Sequence, residues 1–67
     1  MRKNQKLINT LRQNGIKVDY SPCDDNDNRL LFPLNSGEFY EIDVSKLKGN
    51  TKQKLYAIQR QLTANAI

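Results

Sequence analysis

Lys52, Tyr56 and Arg60 stand four residues apart, so on a helix they form one stripe of cation, aromatic ring and cation. Side chains of these types in this order suit a nucleic-acid strand. The cations neutralise phosphates and the ring offers a stacking plane for a base or sugar. Lys46 and Lys48 precede the stripe, just before a helix start whose free N–H groups attract anions. Near the other end of the chain, Arg2, Lys3, Lys6 and Arg12 extend the same surface if two helices lie side by side. The plainer readings are a solvated helix face with Tyr56 sealing the core edge, or a cationic face for an acidic protein. A polyanion is favoured because neither flank of the chain holds an Asp or Glu, whereas an ordinary solvated helix mixes both signs.

That segregation runs through the whole chain of 67 residues. Residues 1–18 carry a net charge of +5, residues 19–43 carry −6 and residues 44–67 carry +5, for a total of +4. A chain divided in this way selects partners by charge.

Other chemistries are weakly supplied. The run Asp24-Asp25-Asn26-Asp27-Asn28 invites a calcium-loop reading with Asp24 in first place. The sixth place is then Arg29 where glycine is needed, and the twelfth is Asn35 rather than glutamate. A solvated turn is the better reading, and it could orient a polyanion by repulsion. Cys23 has acidic sequence neighbours, and there is no histidine to lower its pKa, so it is expected to be a small half-buried residue rather than a nucleophile. Glu41 and Asp43 share a strand face about 7 Å apart. An outward solvated strand explains them better than acid–base catalysis, since no convergent pocket is implied. One cysteine and no histidine exclude an intrachain disulfide and a Cys/His zinc site. The expectation is a non-enzymatic protein without metal or cofactor.

The elements that must position these residues follow from the pattern. Residues 3–14 read as a helix with Leu7, Ile8 and Leu11 on one face, closed by Asn14-Gly15, where glycine takes the left-handed conformation cheaply. Ile16, Val18 and Tyr20 alternate with Lys17 and Asp19 as a half-buried strand. Ser21-Pro22 breaks it, and residues 23–28 are a polar loop. Residues 29–34 form a second strand, with Pro33 near its end because it cannot donate to a ladder. Asn35-Ser36-Gly37 is a hairpin turn. Residues 38–44 form a third strand, with Tyr40, Ile42 and Val44 facing one way and Phe39, Glu41 and Asp43 the other. Asn50 and Gln53 make a capping-box pattern for a closing helix over about 51–64, whose apolar stripe is Leu55, Ile58 and Leu62. The fold class is α+β in the order α-β-β-β-α, a single small domain with a three-stranded antiparallel sheet and two helices on one face.

The stretch from Leu7 to Ile16 (Leu-Ile-Asn-Thr-Leu-Arg-Gln-Asn-Gly-Ile) resembles the opening helix of the HicA-type toxins. The stretch from Lys46 to Ile58 is similar to that family's last loop and helix. The resemblance covers element order over nearly the whole chain and implies a fold like the double-stranded-RNA-binding domain. Its second strand opens on a Gly-Ser-His run whose histidine cleaves RNA, and here that place reads Asn28-Arg29-Leu30. The resemblance therefore implies an inactive relative that keeps the scaffold for binding.

The expected partner is nucleic acid, RNA or DNA without distinction, or an acidic protein surface. The alternative class is a small inhibitor or adaptor of the phage or mobile-element kind. A homodimer is open, because so short a chain buries a modest share of its surface. No apolar run suggests a leader or membrane span, so a cytoplasmic, reducing setting is expected.

Overall fold

The structure is a computed structural model and describes residues 3–23 and 26–65. Arg2, Asp24 and Asp25, named above, lie outside the described residues. The elements are α1 (Gln5–Gln13), β1 (Asp19–Tyr20), β2 (Arg29–Pro33), β3 (Phe39–Asp43), a 3-10 turn (Val44–Lys46) and α2 (Thr51–Asn65). The three strands form one antiparallel sheet in the order β1-β2-β3. This is the expected α+β domain in the expected order.

Strand β2 is the centre of the molecule. Leu30 and Phe32 are fully buried, while Arg29 and Pro33 on the opposite pleat are exposed. Register places Leu30 against Ile42 and Phe32 against Tyr40, so both strands turn the same parity inward. Leu7, Ile8 and Leu11 of α1, Leu55 and Ile58 of α2, and Val18 and Val44 complete one core with these residues. Both helices therefore cover one face of the sheet, and the other face carries Asp19, Arg29, Leu31, Glu41 and Asp43 uncovered. The backbone of Pro33 points toward β1, opposite a residue where β1 has not yet begun, so no ladder bond is lost.

Local bonds trim the elements. The end of α1 is a Schellman motif: the Ile16 N–H donates to Leu11 O and the Gly15 N–H to Arg12 O, both at 3.0 Å. Ile16 thus belongs to the helix terminator, which is one reason β1 spans Asp19–Tyr20 rather than starting at Ile16. Strand β3 stops at Asp43 because the Asp43 carboxylate accepts the N–H and hydroxyl of Ser45 and caps the 3-10 turn. At the start of α1, Asn4 adopts φ 67° without capping the helix, and its amide donates instead to Asp27 O at 2.8 Å. The hairpin closes through the Leu34 N–H to Glu38 O at 2.8 Å and the Gly37 N–H to Leu34 O at 3.1 Å.

The capping box of α2 forms as expected. The Asn50 N–H donates to Gln53 Oε1 and the Gln53 N–H to Asn50 Oδ1, each at 2.9 Å. The Gln53 side chain folds back over Gly49, occupying the space a Cβ would take there. Gly15 has φ 80° with open space around it, whereas Gly49 has φ 99° with the Gln53 amide against it. Gly15→Ala should therefore cost only the left-handed strain, about 1 kcal/mol. Gly49→Ala should cost about 1 kcal/mol more, because the alanine methyl displaces the capping amide. Urea unfolding of both variants and of Gly49→Ala with Gln53→Ala checks this, and in the double variant the second change should add little.

Candidate functional site

The two helices run side by side in roughly the same direction. Lys6 and Thr10 of α1 meet Asn50, Thr51, Lys52 and Leu55 at the start of α2, around a cleft of about 410 Å3. Further along the seam, Ile16 faces Gln59, Leu62 and Thr63 around a second cleft of about 380 Å3. Neither cleft is lined by an acidic side chain. Thr10 donates its hydroxyl to the Lys6 carbonyl, so it lies flat on its own helix.

The stripe on α2 forms as the four-residue spacing requires. Lys52, Tyr56 and Arg60 are all exposed, and half of Tyr56 (51%) is open to solvent, too much for a ring that only seals the core. The Lys52 ammonium lies 6.0 Å from the centre of the Tyr56 ring, at the outer limit of a cation–π contact. Lys6 and Lys52, distant in sequence, come together at one cleft.

Other cations named from the sequence are placed differently. The Arg12 guanidinium donates to Val18 O at 3.0 Å and pairs with Asp19 at 3.2 Å, so it is turned toward β1. Lys46 lines a cleft at the β3 edge with Glu41 and Asp43, on the acidic side of the molecule. Lys3 is exposed, and its carbonyl accepts the Tyr20 hydroxyl at 2.7 Å. Lys48 is exposed in the loop before α2. The structure thus brings Lys6 and Lys52 together, leaves Tyr56 and Arg60 exposed further along α2, and turns Arg12 and Lys46 toward the sheet.

Glu41 and Asp43 occupy the uncovered face of the sheet. Glu41 pairs with Arg29 at 3.3 Å across the strands. The Ser45 hydroxyl and N–H hold the Asp43 carboxyl below its ordinary value of 3.8, helped by the charges of Lys46 and Arg29. Each acid has its own partner. Cys23 is exposed, not half-buried as expected. The turn after β1 buries Ser21 instead, whose hydroxyl accepts the Cys23 N–H at 3.4 Å. Among the described residues, no group of three or more His, Cys, Asp or Glu side chains is placed to hold a metal ion, and no helix is long and apolar enough to cross a membrane.

The sequence reading passed over two features. One is Phe39, 61% exposed on the uncovered sheet face. Its signal was an aromatic at a strand position whose partners, Glu41 and Asp43, are charged. The other is the Arg12–Asp19 pair, which a helix-face reading does not anticipate because β1 supplies the acid.

Comparison with protein-family models, characterised proteins and solved structures finds no match to this chain.

Asp43 has a depressed folded-state pKa, so its contribution to stability is present above 3.8 and is lost as pH falls through the lower folded value. The stability difference between the wild type and Asp43→Asn, measured by urea unfolding, should be constant near neutrality and shrink as pH drops below 3.8. A difference that does not change with pH would remove Asp43 as a capping anion.

Proposed function

We propose that this small globular domain is a non-enzymatic binding module that contacts nucleic acid through the outer side of its two helices. The observation that carries the reading is the meeting of Lys6 and Lys52 at one acid-free cleft, continued by the exposed Tyr56 and Arg60. Lysines spaced along a seam neutralise phosphates and position a strand without reading its sequence. Tyr56 adds a ring for stacking. The acidic sheet face on the far side repels the same polyanion, so one orientation is favoured.

The element order is the one that the resemblance to HicA-type toxins implies. The run that carries that family's catalytic histidine is replaced here by Asn28-Arg29-Leu30, in which Arg29 pairs with Glu41 and Leu30 is buried. Binding without cleavage is the role this substitution supports.

Lys52→Glu combined with Arg60→Glu should abolish retention on immobilised duplex RNA and duplex DNA at low salt, with an unchanged circular dichroism spectrum. In the wild type, the logarithm of affinity should fall linearly with the logarithm of salt, and Lys6→Glu should reduce that slope by about 1. Retention that survives the double change, or a flat salt response, would end the reading.

The other class suggested by the chain's size, a small inhibitor or adaptor of phage or mobile-element type, draws on a separate surface at the uncovered sheet.

A further inference from the structure

We propose that the outer edge of β3 takes up an extended, basic peptide strand from a partner protein. The sheet has two edges, and they differ. Strand β1 is two residues long, and Arg12 covers its outer edge by donating to Val18 O. Strand β3 is five residues long and lies at the other end of the sheet.

The hydrogen-bond parity of β3 is set at both ends. The Val44 N–H donates to Asn28 O, and Glu38 O accepts the Leu34 N–H. Even-numbered residues therefore face β2, and the N–H and C=O groups of Phe39, Glu41 and Asp43 point away from the sheet. Among the described residues, no backbone bond outside the sheet engages those three. A cleft of about 490 Å3 runs along this edge, with Ile42, Leu47 and Gln61 on its helix side and Glu41 and Asp43 beside Arg29 and Lys46 on its open side.

Charge decides the occupant. From Gly37 to Val44 the chain holds Glu38, Glu41 and Asp43 and no cation, and the cations of the cleft, Arg29 and Lys46, lie on the neighbouring strand and in the turn after β3. Antiparallel self-pairing centred on Glu41 sets that residue against its own copy, and pairing centred on Ile42 sets it against Asp43. Like charges directly opposite each other destabilise a strand pair. Pairing centred on Tyr40 avoids that opposition but still brings six carboxylates together with no cation on either strand. A strand alternating apolar and basic residues instead lays its cations on the face of Glu41 and Asp43 and its apolar side chains on the face of Tyr40 and Ile42. The same acids that discourage a second copy select the basic peptide. Main-chain bonds would supply the affinity and the alternating side chains the choice.

The probe is a synthetic peptide of alternating valine and lysine. Two controls go with it: alternating valine and glutamate, and a valine–lysine peptide with prolines at alternate positions. Amide NMR and hydrogen exchange are followed as each is titrated to millimolar concentration. The valine–lysine peptide should shift and protect the amides of Phe39, Glu41 and Asp43. The proline peptide and the glutamate peptide should not, and Glu41→Lys should weaken binding several-fold. Lys52→Glu should leave the peptide affinity unchanged, which separates this edge from the helix seam. Equal binding of the proline peptide, shifts confined to α2, or no response at millimolar peptide would overturn the proposal. So would a dimer in sedimentation whose same three amides are already protected without peptide.

Discussion

The structure depends on the burial of alternate residues along β2 and β3. Leu30, Phe32 and Ile42 have to lie under the helices, because a chain this short has one core and no other place for them. The pleat then leaves Arg29, Leu31, Glu41 and Asp43 no choice but the opposite face. A slip of one residue would drive Glu41 and Asp43 into the core, where an unpaired carboxylate costs several kcal/mol. Packing therefore separates the charges as well as forming the fold. The acids lie on the bare sheet because the apolar residues between them are needed beneath it.

The helices keep their side of that division because no anion is used in the first turn of either one. The cap of α2 uses Asn50 and Gln53, both neutral, where Asp and Glu would serve equally well as acceptors. A carboxylate there would oppose the field of Lys6 and Lys52. The start of α1 likewise has no acid in its first turn. One helix cation does reach the sheet, where Arg12 finds Asp19, while the cation of β2, Arg29, pairs with Glu41 within the sheet. Both pairs sit at or beyond the border between the two layers and leave the seam between the helices untouched.

Much of this was legible in the residues. The heptad-like spacing of Leu7, Ile8 and Leu11, the Gly15 stop and the Asn50–Gln53 pattern each express a local rule, and each forms as read. Alternation in residues 39–43 placed Ile42 inside and Glu41 outside for the same reason. Period alone makes the first strand too long, because Ile16 looks like a strand residue while its N–H is drawn back to Leu11 by the helix terminator. Residue type alone makes Cys23 half-buried, but in that turn it is Ser21 that is buried. The seam itself could not be read, since the direction of one helix across another is set by tertiary packing. Lys6 and Lys52 meet only because α1 and α2 run alongside with their first turns together. For the same reason a list of cations did not tell Lys6 from Arg12 or Lys46.

The most direct measurement is an amide NMR titration of the intact chain with a short duplex RNA and a short duplex DNA. The account predicts shifts clustered on Lys6, Thr10, Asn50 to Lys52, Tyr56 and Arg60, with β2 and β3 unmoved on their open face. Shifts clustered instead on Phe39, Glu41 and Asp43, or spread evenly over the surface, would contradict it.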